Sequence, residues 1–382
     1  MKNACTIVLL LLLMTSCSFN DKSACTIKGV VFDRDSKVLL MTKGNEDATF
    51  QGVKIPINDD NTFEYTLDNP QLLKYTLVFE DEFTQDYMLP ISFVPDGKVI
   101  EFELYPQDRY VENNIKGSPL STELLHMGIK AMELFQSQFD AVNSQLDPLL
   151  ETGQEMSGEV KALQQKTDTI MRETMSWWFE QIESKQSIAM YSVLIDMILA
   201  SKYQEAIDKY ELRRIVNSYQ LQFPQHFYSQ QSKRLLKAME TIKVGGVYAD
   251  FTAPDKDGKV VKVSDIIKSN KLTLIDLWAP WCGPCRKKSR ATVPVYQKYK
   301  DAGFGIIGVV GGVNNKEAYT KVIAKEDYPW QNLMELNKAN KIWEMYNITN
   351  SGGGRFLVNQ NGEILTIGST AEELEKKLKE LL

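Results

Sequence analysis

Cysteine and histidine are scarce in this chain, and the scarcity excludes several chemistries. Five cysteines (Cys5, Cys17, Cys25, Cys282 and Cys285) and two histidines stand in 382 residues. A disulfide scaffold needs a denser, evenly paired set. A structural zinc site takes four ligands, and beside Cys282 and Cys285 a mature chain offers only Cys25, His126 and His226, none at a paired spacing. Positive charge is not in excess. A formal net charge of -6 and the lack of a long basic tract exclude a general nucleic-acid binder. Apolar runs long enough to span a bilayer are missing as well; residues 7–14 form one that is too short. No internal repeat or low-complexity tract stands out. What remains is ordinary for a soluble globular protein, 43% hydrophobic and 25% charged. The length suggests two or three domains.

Lys2 and the apolar run 7–14 have the anatomy of a secretory signal. Met14-Thr15-Ser16-Cys17 follows and resembles a bacterial lipobox, in which the cysteine becomes the lipidated first residue. The other reading is ordinary secretory cleavage nearby with Cys17 unmodified. In either case the chain leaves the cytoplasm. Residues 1–16 are then the signal, Cys5 is discarded with it, and the polar residues 17–24 form a tether.

Residues 25–116 carry a strand signal. Phe63, Tyr65 and Leu67 alternate with polar residues, as do Ile100, Phe102 and Leu104. Pro95-Asp96-Gly97 marks a turn. The spacing predicts an antiparallel β-sandwich or barrel of about seven strands. Cys25 reads as an inert structural thiol at the edge of the first strand. Residues 117–243 read as helical, starting from Ser118 as N-cap and Pro119 as the first helical residue. Asp147-Pro148 and Gly153 punctuate that region, and residues 188–199 are apolar on most sides, the pattern of a buried helix.

Residues 244–382 hold the most informative stretch. Leu272 to Trp278 is an apolar run of the kind found in a central strand covered on both faces. Cys282-Gly283-Pro284-Cys285 comes next, and Pro284 suits the first turn of a helix. Cys282 then lies near free backbone N–H groups and the positive end of the helix dipole, which favours a thiolate. Cys285 follows three residues on, close enough to close a small disulfide ring. Strand, C-x-x-C and helix together form a redox-dithiol signature; the bland readings are a metal knuckle or two unreactive core cysteines. Before this stretch, residues 250–263 predict a hairpin. After it come a buried strand at 305–310, helices at 316–324 and 341–346, a hairpin around Asn361-Gly362, and a closing helix at 372–382.

Asp276-Leu277-Trp278-Ala279-Pro280-Trp281-Cys282-Gly283-Pro284-Cys285 resembles the thioredoxin active site. The β-α-β then β-β-α order, the leading hairpin and the insert resemble the membrane-anchored TlpA/ResA branch. More weakly, the N-terminal part resembles the β-rich domain of unknown function that precedes thioredoxin-like domains in many envelope lipoproteins. The resemblance implies a multidomain chain with a C-terminal α/β thioredoxin fold, no cofactor, and thiol–disulfide exchange. Cys282 attacks a partner disulfide, Cys285 resolves the mixed disulfide, and Asp276, desolvated and raised in pKa, takes a proton from Cys285. Cys282 is expected at the exposed end of the helix and Cys285 a turn deeper. Trp281, Gly283 and Pro284 support the dithiol, and Trp278 belongs to the core. The branch commonly has Glu at Lys288 and Pro at Arg290; this chain has neither. Its Arg286, Lys287, Lys288 and Arg290 add positive charge near Cys282, or form a solvated helix face.

A second departure concerns the cis-proline that thioredoxins carry before the strand facing the dithiol. That position falls on Gly353, within Ser351-Gly352-Gly353-Gly354-Arg355. A non-proline cis bond costs about 2.5–4 kcal/mol, so the Gly352–Gly353 bond is expected to be trans. The loop is expected to dock partners, either more loosely for its glycines or with Arg355 orienting a bulky partner. Gly-Pro between the cysteines resembles reducing thioredoxins. The implied partners are disulfide-containing envelope proteins and a membrane thiol donor, with the lipid anchored in the cell envelope and the domains facing the periplasm or the cell surface. Cytochrome maturation is one process the resemblance suggests. The alternatives are a thiol peroxidase, which needs Thr where Ala279 stands, and a non-enzymatic binding lipoprotein with a vestigial or metal-binding dithiol.

Overall fold

The computed structural model describes residues 24–44, 52–84, 88–154, 157–201, 204–313, 315–348 and 352–382. The expected signal segment and Cys17 lie outside them. Among the described residues no helix is long and apolar enough to cross a membrane.

Period-two patterning builds the first unit. Its strands are β1 Cys25–Val31, β2 Val38–Lys43, β3 Val53–Pro56, β4 Thr62–Leu67, β5 Tyr75–Phe79, β6 Ile91–Phe93, β7 Val99–Leu104 and β8 Asn114–Lys116. They form two four-stranded sheets, β4-β1-β7-β8 and β3-β2-β5-β6. This is one strand more than the spacing predicted. The short β8 carries only Ile115 as a buried residue, too little for a visible alternation. One pairing is also not antiparallel: β1 lies between β4 and β7 and runs parallel to β7. The inward faces meet over Ile27, Phe63, Phe93 and Phe102, each 1% exposed or less. Cys25 is a free, buried thiol, pushed up to about 11 by burial and then by the charge of Asp96. Such a thiol is protonated and inert at neutral pH.

Five helices follow: α1 Pro119–Glu151, α2 Gly158–Lys185, α3 Ile188–Ala200, α4 Lys209–Gln222 and α5 Phe227–Thr241. Ser118 caps α1 by accepting from the Ser121 N–H, with Pro119 opening the helix. The Ser121 hydroxyl in turn accepts from the Val94 N–H at 2.9 Å, which ties the helix start to the β unit. α1 does not break at Asp147-Pro148 as the punctuation suggested. Pro148 falls in the last turn, where the missing N–H removes a single ladder bond, and the helix runs on to Glu151. α3 is buried as its composition predicted. Tyr191 in its first turn is fully covered, and its hydroxyl lies 3.1 and 3.0 Å from those of Ser229 and Ser232 on α5.

The last unit runs β9 Thr252–Pro254, β10 Val260–Lys262, α6 Val263–Ser269, β11 Leu272–Trp278, α7 Gly283–Tyr299, β12 Phe304–Val313, α8 Lys316–Glu326, β13 Gln331–Leu336, α9 Ile342–Met345, β14 Gly354–Asn359, β15 Ile364–Ile367 and α10 Ala371–Leu381. Its five-stranded sheet has the order β13-β12-β11-β14-β15, with β14 antiparallel to β11, and the whole is a thioredoxin-like α/β domain. Two elements were not anticipated. α6 is short, and β13 is a parallel edge strand buried at four consecutive positions, so it shows no alternation.

β11 is the centre of this unit, buried at every residue. Leu272, Leu274 and Trp278 pack with Val295 of α7 and Leu374 of α10. Ile275 and Leu277 pack on the opposite face with Val263 and Ile267 of α6. Strand periodicity therefore turns Asp276 toward the face that α7 covers. The helical unit touches this one where Arg234 of α5 donates from Nε to Glu344 of α9 at 2.8 Å.

Candidate active site

β11 ends at Trp278, and a short loop brings Cys282 to the N-cap of α7. Gly283 and Pro284 open the helix, and proline there sacrifices no hydrogen bond. The Cys282 sulfur accepts from the Cys285 N–H at 3.2 Å. The two cysteines are joined as a disulfide with their Cα atoms 5.3 Å apart. A reduced Cys282 at this place faces unsatisfied backbone donors and the positive end of the helix, both of which favour its thiolate.

The order of exposure is the reverse of the expectation. Cys282 is only 7% exposed, while Cys285 is half-buried. The glycine loop before β14 is the cause. Gly352, at φ +87°, passes so close that an added Cβ would lie 2.7 Å from the Cys282 sulfur and 3.3 Å from the Trp281 ring. Trp281 does flank the dithiol, and its other edge lies against Gly312. Trp278 is wholly buried, as expected, with its indole N–H donating to the Asn332 side chain at 3.3 Å.

Asp276 is 2% exposed. The Ser289 hydroxyl donates to its Oδ2 at 2.6 Å, and Arg355 Nε stands 3.7 Å from its Oδ1. Burial pushes its carboxyl above the ordinary range, against the opposing pull of Arg355, the Ser289 hydrogen bond and Lys288. Asp276, Cys282, Cys285, Lys288, Gly353 and Arg355 all line one cavity of about 260 Å³. The lining is mostly apolar, but Asp276, Lys288 and Arg355 give it polar partners, and a cavity of that size has room for water.

Three local expectations need correction. Arg355 does not reach out to a partner. It sits directly across from Asp276 in the β11–β14 register, 5% exposed, because strand alternation points both to the α7 face. The basic residues after the motif do not act together on Cys282. Arg286 and Arg290 both donate to Glu326, whose side chain is fully covered, and the Tyr328 hydroxyl is a third residue donating to it. Lys288 alone of that group lines the dithiol cavity. Gly353, third, is not merely a flexible stand-in for proline. A Cβ there would lie 1.9 Å from the Leu277 carbonyl oxygen, so the backbone passes too close for any side chain. The Gly352–Gly353 bond is trans, and no cis peptide occurs among the described residues.

Ser289, Thr292 and Glu326 were not singled out from the sequence. Ser289 had a usable signal, since it follows Cys285 by four residues on the buried helix face. Glu326 reaches the site from a distant element and had none, and Gly352 was legible as part of the docking loop but not as the cover of Cys282.

Residues 244–367 match the family model described as the AhpC/TSA family. A thiol-disulfide oxidoreductase ResA of Bacillus cereus is 27% identical over 145 residues, covering 37% of this chain and 80% of that protein. ResA of Bacillus subtilis (strain 168) is 23% identical over 128 residues, 34% of this chain and 68% of that protein. Among solved structures, the thioredoxin domain of a thiol-disulfide oxidoreductase from Bacteroides vulgatus is 26% identical, with a TM-score of 0.33 over 37% of this chain and 98% of that one. A putative thiol:disulfide interchange protein DsbE from Chlorobium tepidum is 26% identical, with a TM-score of 0.32 over 37% of this chain and 99% of that one. The AhpC/TSA-type thioredoxin-fold domain, and with it the similarity to ResA, is confined to the C-terminal third of the chain.

Proposed function

We propose that this thiol-disulfide oxidoreductase works as a protein-disulfide reductase in the cell envelope, through the Cys282/Cys285 dithiol. The observation that carries the reading is a closed disulfide at a helix N-terminus beside a buried carboxylate, Asp276. Cys282, held at the N-cap, attacks a sulfur of the partner disulfide and forms a mixed disulfide. Cys285 gives its proton toward Asp276 and attacks Cys282, and the partner leaves reduced. A membrane thiol donor then restores the dithiol. Reduction rather than oxidation is favoured by Gly283-Pro284 between the cysteines, the pair seen in reducing thioredoxins.

The envelope assignment rests on the signal-like residues 1–16 and the lipobox-like Met14-Thr15-Ser16-Cys17. Lipidation at Cys17 would anchor the chain, with the β-rich, helical and thioredoxin-like units facing the periplasm or the cell surface. Its substrates are then disulfide-bonded envelope proteins, among them proteins of cytochrome maturation. The boundaries of the three units follow the sequence changes near residues 117 and 244.

Two measurements test this. Equilibration of the full-length protein with glutathione or dithiothreitol buffers gives the dithiol potential. A value near that of thioredoxin, about -270 mV, supports a reductase. A value near the oxidant DsbA, about -120 mV, would reverse the direction. Expression of Cys17→Ala should leave the protein unprocessed or soluble; unchanged membrane fractionation and intact mass would remove the lipid anchor from the reading.

A further inference from the structure

Arg355 is an arginine enclosed within a small redox domain, and a charge in that place is costly unless it is paired. Two of its nitrogens are fixed: Nη1 donates to the Ser369 carbonyl at 2.9 Å and Nη2 to the Thr292 hydroxyl at 2.7 Å. Its Nε makes no hydrogen bond and stands 3.7 Å from Asp276 Oδ1. That distance is an ion pair and not a hydrogen bond. The distinction matters for proton transfer. A carboxylate bonded in bidentate fashion to a guanidinium has its oxygens occupied. Asp276 feels the charge of Arg355 while its Oδ1 is not taken up by a hydrogen bond from that guanidinium, and the residue lines the cavity it shares with Cys285.

The other charged or titratable groups facing Asp276 or its cavity are Lys288, Cys285 and, when reduced, Cys282 at the start of α7, and Tyr328 beyond the end of α8. β12 presents only Gly308 opposite it. Burial favours the protonated form of Asp276, which cannot accept a proton, and a nearby cation opposes that push. Lys288 is exposed, so its charge is screened by solvent. Arg355 is buried and fixed, and its charge is not.

We propose that Arg355 is a positioning residue of the dithiol reaction: pinned to Ser369 and Thr292, it keeps the Asp276 carboxylate ionised and open to the Cys285 proton. This rests on the exchange chemistry proposed above. In the mixed disulfide, the Cys285 thiol gives its proton to Asp276 through cavity water, and its sulfur attacks the Cys282 sulfur. The bond between Cys282 and the partner breaks, and the partner leaves with the electron pair as a thiolate. Asp276 then returns its proton to solvent, and two electrons have passed from the dithiol to the partner.

The test is a single turnover of the pre-reduced full-length protein with equimolar 5,5′-dithiobis(2-nitrobenzoate), followed across the neutral pH range. Attack by Cys282 releases a first equivalent of coloured thiolate, and resolution by Cys285 releases a second. Arg355→Leu and Arg355→Gln should move the acid limb of the second phase about one pH unit upward, a roughly tenfold slowing on that limb. The first phase should be unmoved, and Arg355→Lys should restore most of the second. In an Asp276→Asn background the Arg355 substitutions should change nothing further. If Arg355→Leu does not fold, Arg355→Gln, which keeps hydrogen-bonding atoms without the charge, decides the matter. Equal losses in both phases with an unchanged pH profile would overturn the proposal, as would an Arg355 effect that persists in Asp276→Asn. A wild type that releases only one equivalent would instead remove the dithiol chemistry beneath it.

Discussion

Gly352 and Cys282 touch: a Cβ on Gly352 would stand 2.7 Å from the Cys282 sulfur. The contact explains why the sulfur at the helix N-terminus is the covered one. It also leads to a prediction. Gly352→Ala meets both this contact and a φ of +87°, which disfavours L side chains. The backbone part costs about 1–2 kcal/mol. Thermal unfolding should register that loss, and iodoacetamide labelling of reduced Cys282 should slow several-fold. Labelling at the wild-type rate would show that Gly352 does not govern access to the sulfur.

The neighbouring glycine makes a different prediction. Gly353 has the Leu277 carbonyl 1.9 Å from any Cβ, and backbone cannot yield as a side chain can. Gly353→Ala should destabilise the C-terminal unit by about 1–3 kcal/mol, the usual cost of overpacking. Gly353→Pro should do no better, although proline is the residue of the thioredoxin pattern. Because this loop lies over the dithiol, both changes should depress insulin reduction more than reduction of a small disulfide. Equal effects on the two substrates would mean the loop takes no part in docking proteins.

The cysteines themselves divide the reaction. Cys282→Ser should abolish insulin reduction, and Cys285→Ser should accumulate mixed disulfides visible on non-reducing gels. Full turnover by Cys282→Ser is the outcome that would sink the dithiol mechanism. Hydroperoxide consumption by the wild type should be weak, since Ala279 stands where a peroxidase carries Thr; rapid consumption would favour the peroxidase alternative.

Glu326 offers a pH-dependent test. Burial pushes its carboxyl up, but hydrogen bonds from Arg290, Arg286 and Tyr328 outweigh burial, and the net shift is downward. A carboxyl depressed on folding stabilises the protein above its unfolded pKa and loses that contribution as pH falls through the folded one. Glu326→Gln should therefore cost about 2 kcal/mol at neutral pH, less than the ~3–5 kcal/mol of a fully buried pair, because Arg290 is half-exposed. The gap between wild type and variant in urea melts should close at acid pH, below the ordinary glutamate range. A gap that stays constant with pH would mean that the charge of Glu326 contributes nothing.

The sequence alone determined the parts of this protein whose physics is local. A seven-residue apolar run, a C-x-x-C with proline in the first helical turn, and a carboxylate within the run lie inside fifteen consecutive residues. Their spacing is enough to place a dithiol at a helix start beside a buried acid. Ser118 with Pro119 marked a helix start, and the composition of residues 188–199 marked a buried helix, for the same reason. β8 and β13 escaped because one is too short to alternate and the other is buried on both faces. Only the tertiary structure decided what surrounds the sulfurs. Arg355 lies 79 residues from Asp276, yet antiparallel register sets the two opposite each other on one face of the sheet. Glu326 draws away two arginines that sequence order had placed beside Cys282. Gly352 closes over Cys282 because the chain entering β14 must pass β11 closely: at the next residue, Gly353, a Cβ would lie 1.9 Å from the Leu277 carbonyl oxygen.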